Sequence, residues 1–216
     1  MAQEKMTWAQ LVDILAILWK VLFSKDIKWD DVPCKTAQEI LKGDHQLFAV
    51  QFLKFLAVGG RVVGGLLRKL TAVQVKGATR FVAKDHLTDT NVGWTGGNFK
   101  AHFLDKVEEN VGDANVAVQC LEQSSLDAPI LAELGDRAEI KLAHLFDLLT
   151  KQSNGQEGTL LVNGYANIAY IRDAEGTLWA VGAGWSSGDG DWSVEAYSVE
   201  DPRGWDAGRR ILSRDS

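Results

Sequence analysis

Four of the chain's eight tryptophans, Trp179, Trp185, Trp192 and Trp205, lie beyond residue 178 of 216. Side chains of that size must be buried or bound, so the fold of this tail has to supply a frame around them. The residues between them alternate. Along 191–199, Trp192, Val194, Ala196 and Ser198 face one way, and Ser193, Glu195, Tyr197 and Val199 the other, the period of a half-buried strand. Residues 167–172 alternate into Asp173-Ala174-Glu175-Gly176, a hairpin turn, and return over 177–181; a last strand is expected over 209–213.

Upstream the texture is helical. Thr7 is a candidate N-cap for a helix over 7–23, where Leu11, Leu15, Leu18 and Leu22 recur at helical spacing. Shorter helices are expected over 36–42, ending at Gly43, and over 46–58, before Gly59-Gly60. Residues 70–75 and 79–83 read as strands, 91–98 as a Gly- and Trp-rich turn, and 99–110 as a short helix. The strongest helical pattern runs over 125–151. Asp127 can cap it, and Leu131, Leu134, Ala138, Leu142, Leu145 and Leu149 form one stripe. The resulting expectation is an α+β chain with a helical N-terminal region, residues 1–68, and a second domain, residues 69–216, that ends in a small antiparallel sheet.

Charge and composition exclude several classes. The hydrophobic share of 46% and charged share of 24% are ordinary for a globular chain, and the net charge of −6 argues against a nucleic-acid partner. Residues 1–108 carry 15 Lys+Arg against 11 Asp+Glu, and residues 109–216 carry 8 against 18. Cys34 and Cys120 build no disulfide scaffold, and Cys120, beside Val116, Val118 and Leu121, reads as a core thiol. The apolar run 11–23 is too short to span a membrane, and the run 47–67 is interrupted by Gln51, Lys54, Arg61 and glycines. No basic leader precedes them, so a cytoplasmic chain without a membrane span is expected, with surface display compatible.

Motifs for chemistry are sparse. Gly184-Trp185-Ser186-Ser187-Gly188 matches G-x-S-x-G, in which a strand turns sharply into a helix and exposes its serine as a nucleophile. Here a Gly/Asp turn and a strand pattern follow Ser186, and the last histidine, His144, precedes it. His45, His86, His102 and His144 have no metal-ligand spacing. Asp189, Asp191 and Glu195 could surround a calcium ion but lack EF-hand spacing and read as solvated loop acids. No metal or cofactor is therefore expected. The Gly, Ser, Asp, Tyr and Arg residues around the tail's tryptophans resemble binding-loop composition, where rigid aromatics give area and small polar residues give adaptable hydrogen bonds.

The tail also resembles a known family. Leu160-Leu161-Val162-Asn163-Gly164-Tyr165-Ala166-Asn167-Ile168, Tyr197-Ser198-Val199-Glu200, Trp205 and Arg210-Ile211-Leu212-Ser213-Arg214-Asp215-Ser216 are similar to a protein family recurrent in candidate-phylum bacteria with reduced genomes. The resemblance runs from about residue 70 to the end. Members look like variable proteins of diversity-generating retroelements, in which a reverse transcriptase rewrites adenines of a C-terminal coding repeat. The resemblance implies a C-type lectin fold and a non-enzymatic protein that binds a protein or other macromolecular ligand. Adenine-directed change of AAC codons never yields Trp, Glu, Lys, Gln or Met, so the tryptophans would be frame positions. The variable, ligand-binding positions would be Gly182, Gly184, Ser186, Asp189, Asp191, Ser193, Tyr197, Asp201, Arg203, Asp206 and Arg209. Glu195 shares their strand face but departs from this rule. The chain also lacks the Glu-Pro-Asn or Gln-Pro-Asp triplet and the paired cysteines of calcium-dependent lectins. The alternatives are a serine hydrolase using Ser186 and a structural protein that oligomerises through its helical N-terminus.

Overall fold

The computed structural model describes residues 65–201 and 204–215; the expected helices over 7–23, 36–42 and 46–58 lie outside them. In chain order the elements are β1 (Leu67–Val75), β2 (Ala78–Val82), β3 (Val92–Thr95), α1 (Gly97–His102), β4 (Val107–Val111), β5 (Ala114–Leu121), β6 (Ser125–Leu126), α2 (Asp127–Leu134), α3 (Leu142–Lys151), β7 (Asn167–Arg172), β8 (Leu178–Ser186), β9 (Asp191–Ser198), β10 (Gly204–Trp205) and β11 (Arg210–Arg214). The described residues are mostly β, with three α-helices of six, eight and ten residues.

The expected α+β fold class is corrected where it can be compared: the helical N-terminal region lies outside the described residues, and the expected C-type lectin-like domain with a small antiparallel sheet is replaced by a mostly β unit with one large sheet. The main sheet has seven strands in the order β1-β5-β11-β7-β8-β9-β3. It is mixed, because β11 runs parallel to β7 and β3 runs parallel to β9. The last strand does not close an edge. It inserts between β5 and β7 and pairs with both.

Both faces of the central strands are covered, and this obscures their alternation. On the first face, Val116, Val118, Ala169, Ile171, Val181, Ala183, Trp192, Val194 and Leu212 pack with Leu142, Leu145, Phe146 and Leu149 of α3. On the second, Leu121, Ile168, Tyr170, Ala180 and Ile211 pack with Ile130 and Leu134 of α2 and with Trp205.

The expected single helix over 125–151 is therefore two helices serving opposite faces. Gly135, with φ +59°, ends α2, and the following segment forms a bridge between Glu139 and Tyr170 at the sheet. The leucine stripe divides at that point. Leu134 joins the second face, and Leu142, Leu145 and Leu149 join the first. The start of α3 is held from outside: the buried Glu108 carboxylate accepts the amides of Leu142 (3.1 Å) and Ala143 (3.0 Å) and the Lys106 ammonium (2.7 Å).

Three further expectations change. The turn at 91–98 contains the edge strand β3, and the helix expected over 99–110 is replaced by the end of α1 and by β4. Cys120 is half-buried, so it is not a core thiol.

Candidate binding face

The β8–β9 hairpin builds the site through its register. Gly182 stands opposite Glu195, Gly184 opposite Ser193, and Ser186 opposite Asp191, so these side chains share one face of the sheet. The opposite face carries Trp192, Val194 and Ala196, each 0% exposed. Trp192 is fixed there by an indole hydrogen bond to the Gln152 carbonyl (3.1 Å) and by an edge-to-face contact with Trp185 (5.3 Å). The pleat thus sets Trp192, Val194 and Ala196 on one face and Ser193, Glu195 and Tyr197 on the other.

The outward face is walled by two aromatics. Trp94 of β3 pairs with Ser193 and is 53% exposed. On the other side, Gly184 adjoins the Gly164 carbonyl, and Tyr165 beside it is 45% exposed. With strands spaced about 4.8 Å apart, Trp94 and Gly184 lie about 10 Å from one another across Ser193. The floor between them consists of Gly184, Ser193 and Ser186, so the surface is a shallow trough with small residues at its centre.

Buried polar contacts hold both walls. The Asn167 side-chain amide donates to the carbonyls of Leu161 and Ala183 (3.1 Å each) and accepts the Leu161 amide (2.8 Å), which ties the 161–166 loop to β8. Gly164, at φ +85°, makes the turn that presents Tyr165. On the other side, the Glu195 carboxylate accepts the Phe99 amide (3.2 Å) and the Ala196 amide (2.8 Å), and Asn98 donates to the Ala196 carbonyl (2.9 Å). Gly96 leaves room for it there, since a Cβ would have to push the Glu195 carboxylate off these amides. Glu195 thus locks α1 to the edge of the sheet.

The remaining candidate positions divide into groups. Gly182 is buried, and a Cβ on it would reach Tyr197 Cε2 at 3.6 Å, so Gly182 is floor beneath Tyr197 instead of open surface. Tyr197 is half-buried and packs edge-to-face on Trp205 at 5.4 Å. Asp189 sits at the hairpin tip and accepts the Ser186 hydroxyl (2.7 Å). Asp201 and Asp206 are exposed on the segment after β9, and Arg203 lies outside the described residues. The Arg209 guanidinium lies over both Tyr165 (5.4 Å) and Trp205 (5.5 Å) and donates to Asp206 (3.0 Å). It therefore clamps the Tyr165 wall to the buried Trp205.

The second-face segment after β9 is anchored by Asp127. Its buried carboxylate accepts the Tyr170 hydroxyl and the Trp205 indole, each at 2.7 Å, instead of capping α2. Burial pushes this carboxyl above the usual carboxylate range, against the opposing pull of those two donors.

The geometry around Ser186 is that of a β-hairpin, and the strand-to-helix turn of a nucleophile elbow is not there. The described histidines are engaged elsewhere. His86 stacks on Phe81 (4.8 Å), His144 meets the Gly112 carbonyl (2.9 Å), and His102 meets Asp173 (3.2 Å).

That last contact brings together His102, Asp173 and Glu175, which sequence spacing had separated. The Asp173 oxygens already accept the Trp179 indole (2.9 Å) and the amides of Thr177 (2.8 Å) and Glu175 (3.1 Å). Burial opposes ionisation of Asp173, but the Trp179 indole, the two amides and His102 outweigh it and hold the group below the usual carboxylate range. This arrangement is the hub of the β7–β8 turn. Sequence reasoning also missed Trp94 and Tyr165 as walls. The Gly93-Trp94-Thr95-Gly96-Gly97 run was a signal for the first, and Asn163-Gly164-Tyr165 for the second.

No helix among the described residues is long and apolar enough to cross a membrane. Comparison with protein-family models, curated proteins and solved structures finds no match to this chain.

Proposed function

We propose that the chain is a non-enzymatic binding protein that holds a protein or other macromolecular ligand on the outward face of β8, β9 and β3, a face diversified by a retroelement. One observation carries the reading. Gly184, Ser193, Ser186 and Asp191 share the trough between Trp94 and Tyr165, while Trp192 and Trp205 are buried pillars that hold it. A position can vary freely only where its side chain leaves packing and backbone unchanged, and outward strand positions meet that condition. Gly182 and Arg209 meet it least, so diversification should concentrate on the other positions.

The test is genetic. DNA beside the gene should hold a near-copy of its 3′ coding end and a reverse transcriptase frame. Mismatches between the two copies should fall at template adenines, within codons 182–209, sparing those for Trp185, Trp192 and Trp205. Absence of the repeat and the polymerase, or mismatches spread over all four bases, overturns diversification. Ester hydrolysis by the purified chain that disappears in Ser186→Ala overturns the non-enzymatic reading.

A further inference from the structure

Residues 182–201 contain five acids, Asp189, Asp191, Glu195, Glu200 and Asp201, and neither Lys nor Arg. They are not equivalent. Glu195 is occupied by the Phe99 and Ala196 amides, and Asp189 accepts the Ser186 hydroxyl. Asp191 is half-buried at the start of β9, and its carboxylate has no hydrogen bond or ion pair among the described residues. It lies against Gly93, where a Cβ would collide with it, and so stands next to Trp94 in the chain of β3. The Ser193 hydroxyl between them is also without a hydrogen-bond partner among the described residues. Arg209, on the same side of the sheet, is engaged by Asp206 and by the rings of Tyr165 and Trp205.

A half-exposed indole one residue from the glycine against which an unpaired carboxylate lies is a complementary pair for one chemical group. The ring's negative face attracts a cation, and the carboxylate accepts its N–H donors. A guanidinium satisfies both at once, because its plane stacks on the ring while its edge donates two parallel hydrogen bonds. The trough floor of Gly184 and Ser193 leaves room for the aliphatic stem. Resting on the binding role proposed above, we infer that the face takes a partner protein through an arginine side chain seated between Trp94 and Asp191. The acidic surround steers such a partner in and disfavours acidic ones.

The experiment uses the full chain and a random peptide library displayed on phage, with Gly184→Arg as the blocked control. Peptides whose capture is lost in Gly184→Arg are taken as binders of this face. The inference expects them to be enriched in Arg, and each to lose about tenfold in affinity with Trp94→Ala and with Asp191→Asn. Asp136→Asn, an exposed acid of the α2–α3 segment, should leave affinity unchanged. Trp94 is 53% exposed and Asp191→Asn keeps the side chain's shape, so matching circular dichroism and thermal midpoints should verify that both variants fold. Face binders without Arg enrichment, or affinity loss equal in Asp136→Asn, overturn the arginine inference and leave the binding role standing. A library that yields no peptide sensitive to Gly184→Arg overturns both.

Discussion

Replacing Trp192 by alanine tests the division between frame and face most directly. The indole is 0% exposed, donates to the Gln152 carbonyl at 3.1 Å and meets Trp185 edge-on at 5.3 Å. Truncating a buried tryptophan costs about 3–5 kcal/mol in lost transfer energy and residual cavity. Losing the indole hydrogen bond to the Gln152 carbonyl, which keeps only the Gly155 amide as donor, adds about 1 kcal/mol. A sum of about 4–6 kcal/mol is comparable with the stability of a whole domain, about 5–15 kcal/mol. Ser193 is the next residue on the same strand, yet Ser193→Asn should change stability by no more than about 0.5 kcal/mol, because its side chain faces the trough. Urea denaturation followed by far-UV circular dichroism measures both without depending on tryptophan emission. Trp192→Phe keeps most of the apolar volume and should cost about 2 kcal/mol, which keeps the comparison measurable if the alanine variant unfolds. Equal losses at Trp192 and Ser193, or a loss below about 1 kcal/mol in Trp192→Ala, would refute the argument from strand period.

Asp127→Asn keeps an acceptor for Tyr170 and Trp205 and removes the buried charge. Because the folded carboxyl is raised, its contribution to stability is largest below the ordinary carboxylate range and is lost as pH rises through the folded value. Denaturation series from acid to neutral pH should therefore show the asparagine variant gaining on the parent as pH rises; the opposite trend contradicts the burial argument. Glu108→Ala strips the Leu142 and Ala143 amides of their acceptor, leaves the Lys106 ammonium only the Arg172 carbonyl, and should cost about 2–4 kcal/mol by urea denaturation, with Glu108→Gln losing less. Gly184→Asn should be tolerated within about 0.5 kcal/mol, whereas Gly182→Asn must displace Tyr197 and should cost about 1–3 kcal/mol, both read from thermal or urea midpoints.

The local parts of this protein are legible in its sequence. The β7–β8 hairpin was legible because Asp173-Ala174-Glu175-Gly176 specifies its own turn, and β9 because period-two alternation assigns Trp192 and Ser193 to opposite faces without reference to any partner. Six candidate positions, Gly182, Gly184, Ser186, Asp191, Ser193 and Tyr197, accordingly share one face. Pairings distant in sequence have no local signal and emerge only on folding. Nothing local tells Ile211 and Leu212 to insert beside Ile168 and Ala169, nor Val92–Thr95 to become an edge strand parallel to β9. The stripe from Leu131 to Leu149 looked continuous because helical periodicity records which residues are apolar, not which side of a sheet receives them. The same limit hid Trp94 and Tyr165. Their sequence neighbours mark turns, and only strand order and the Asn167 and Glu195 hydrogen bonds bring them to the two sides of Gly184 and Ser193. An alternating strand fixes its own two faces, but what covers a face, and what stands at its rim, depends on parts of the chain that meet only once it has folded.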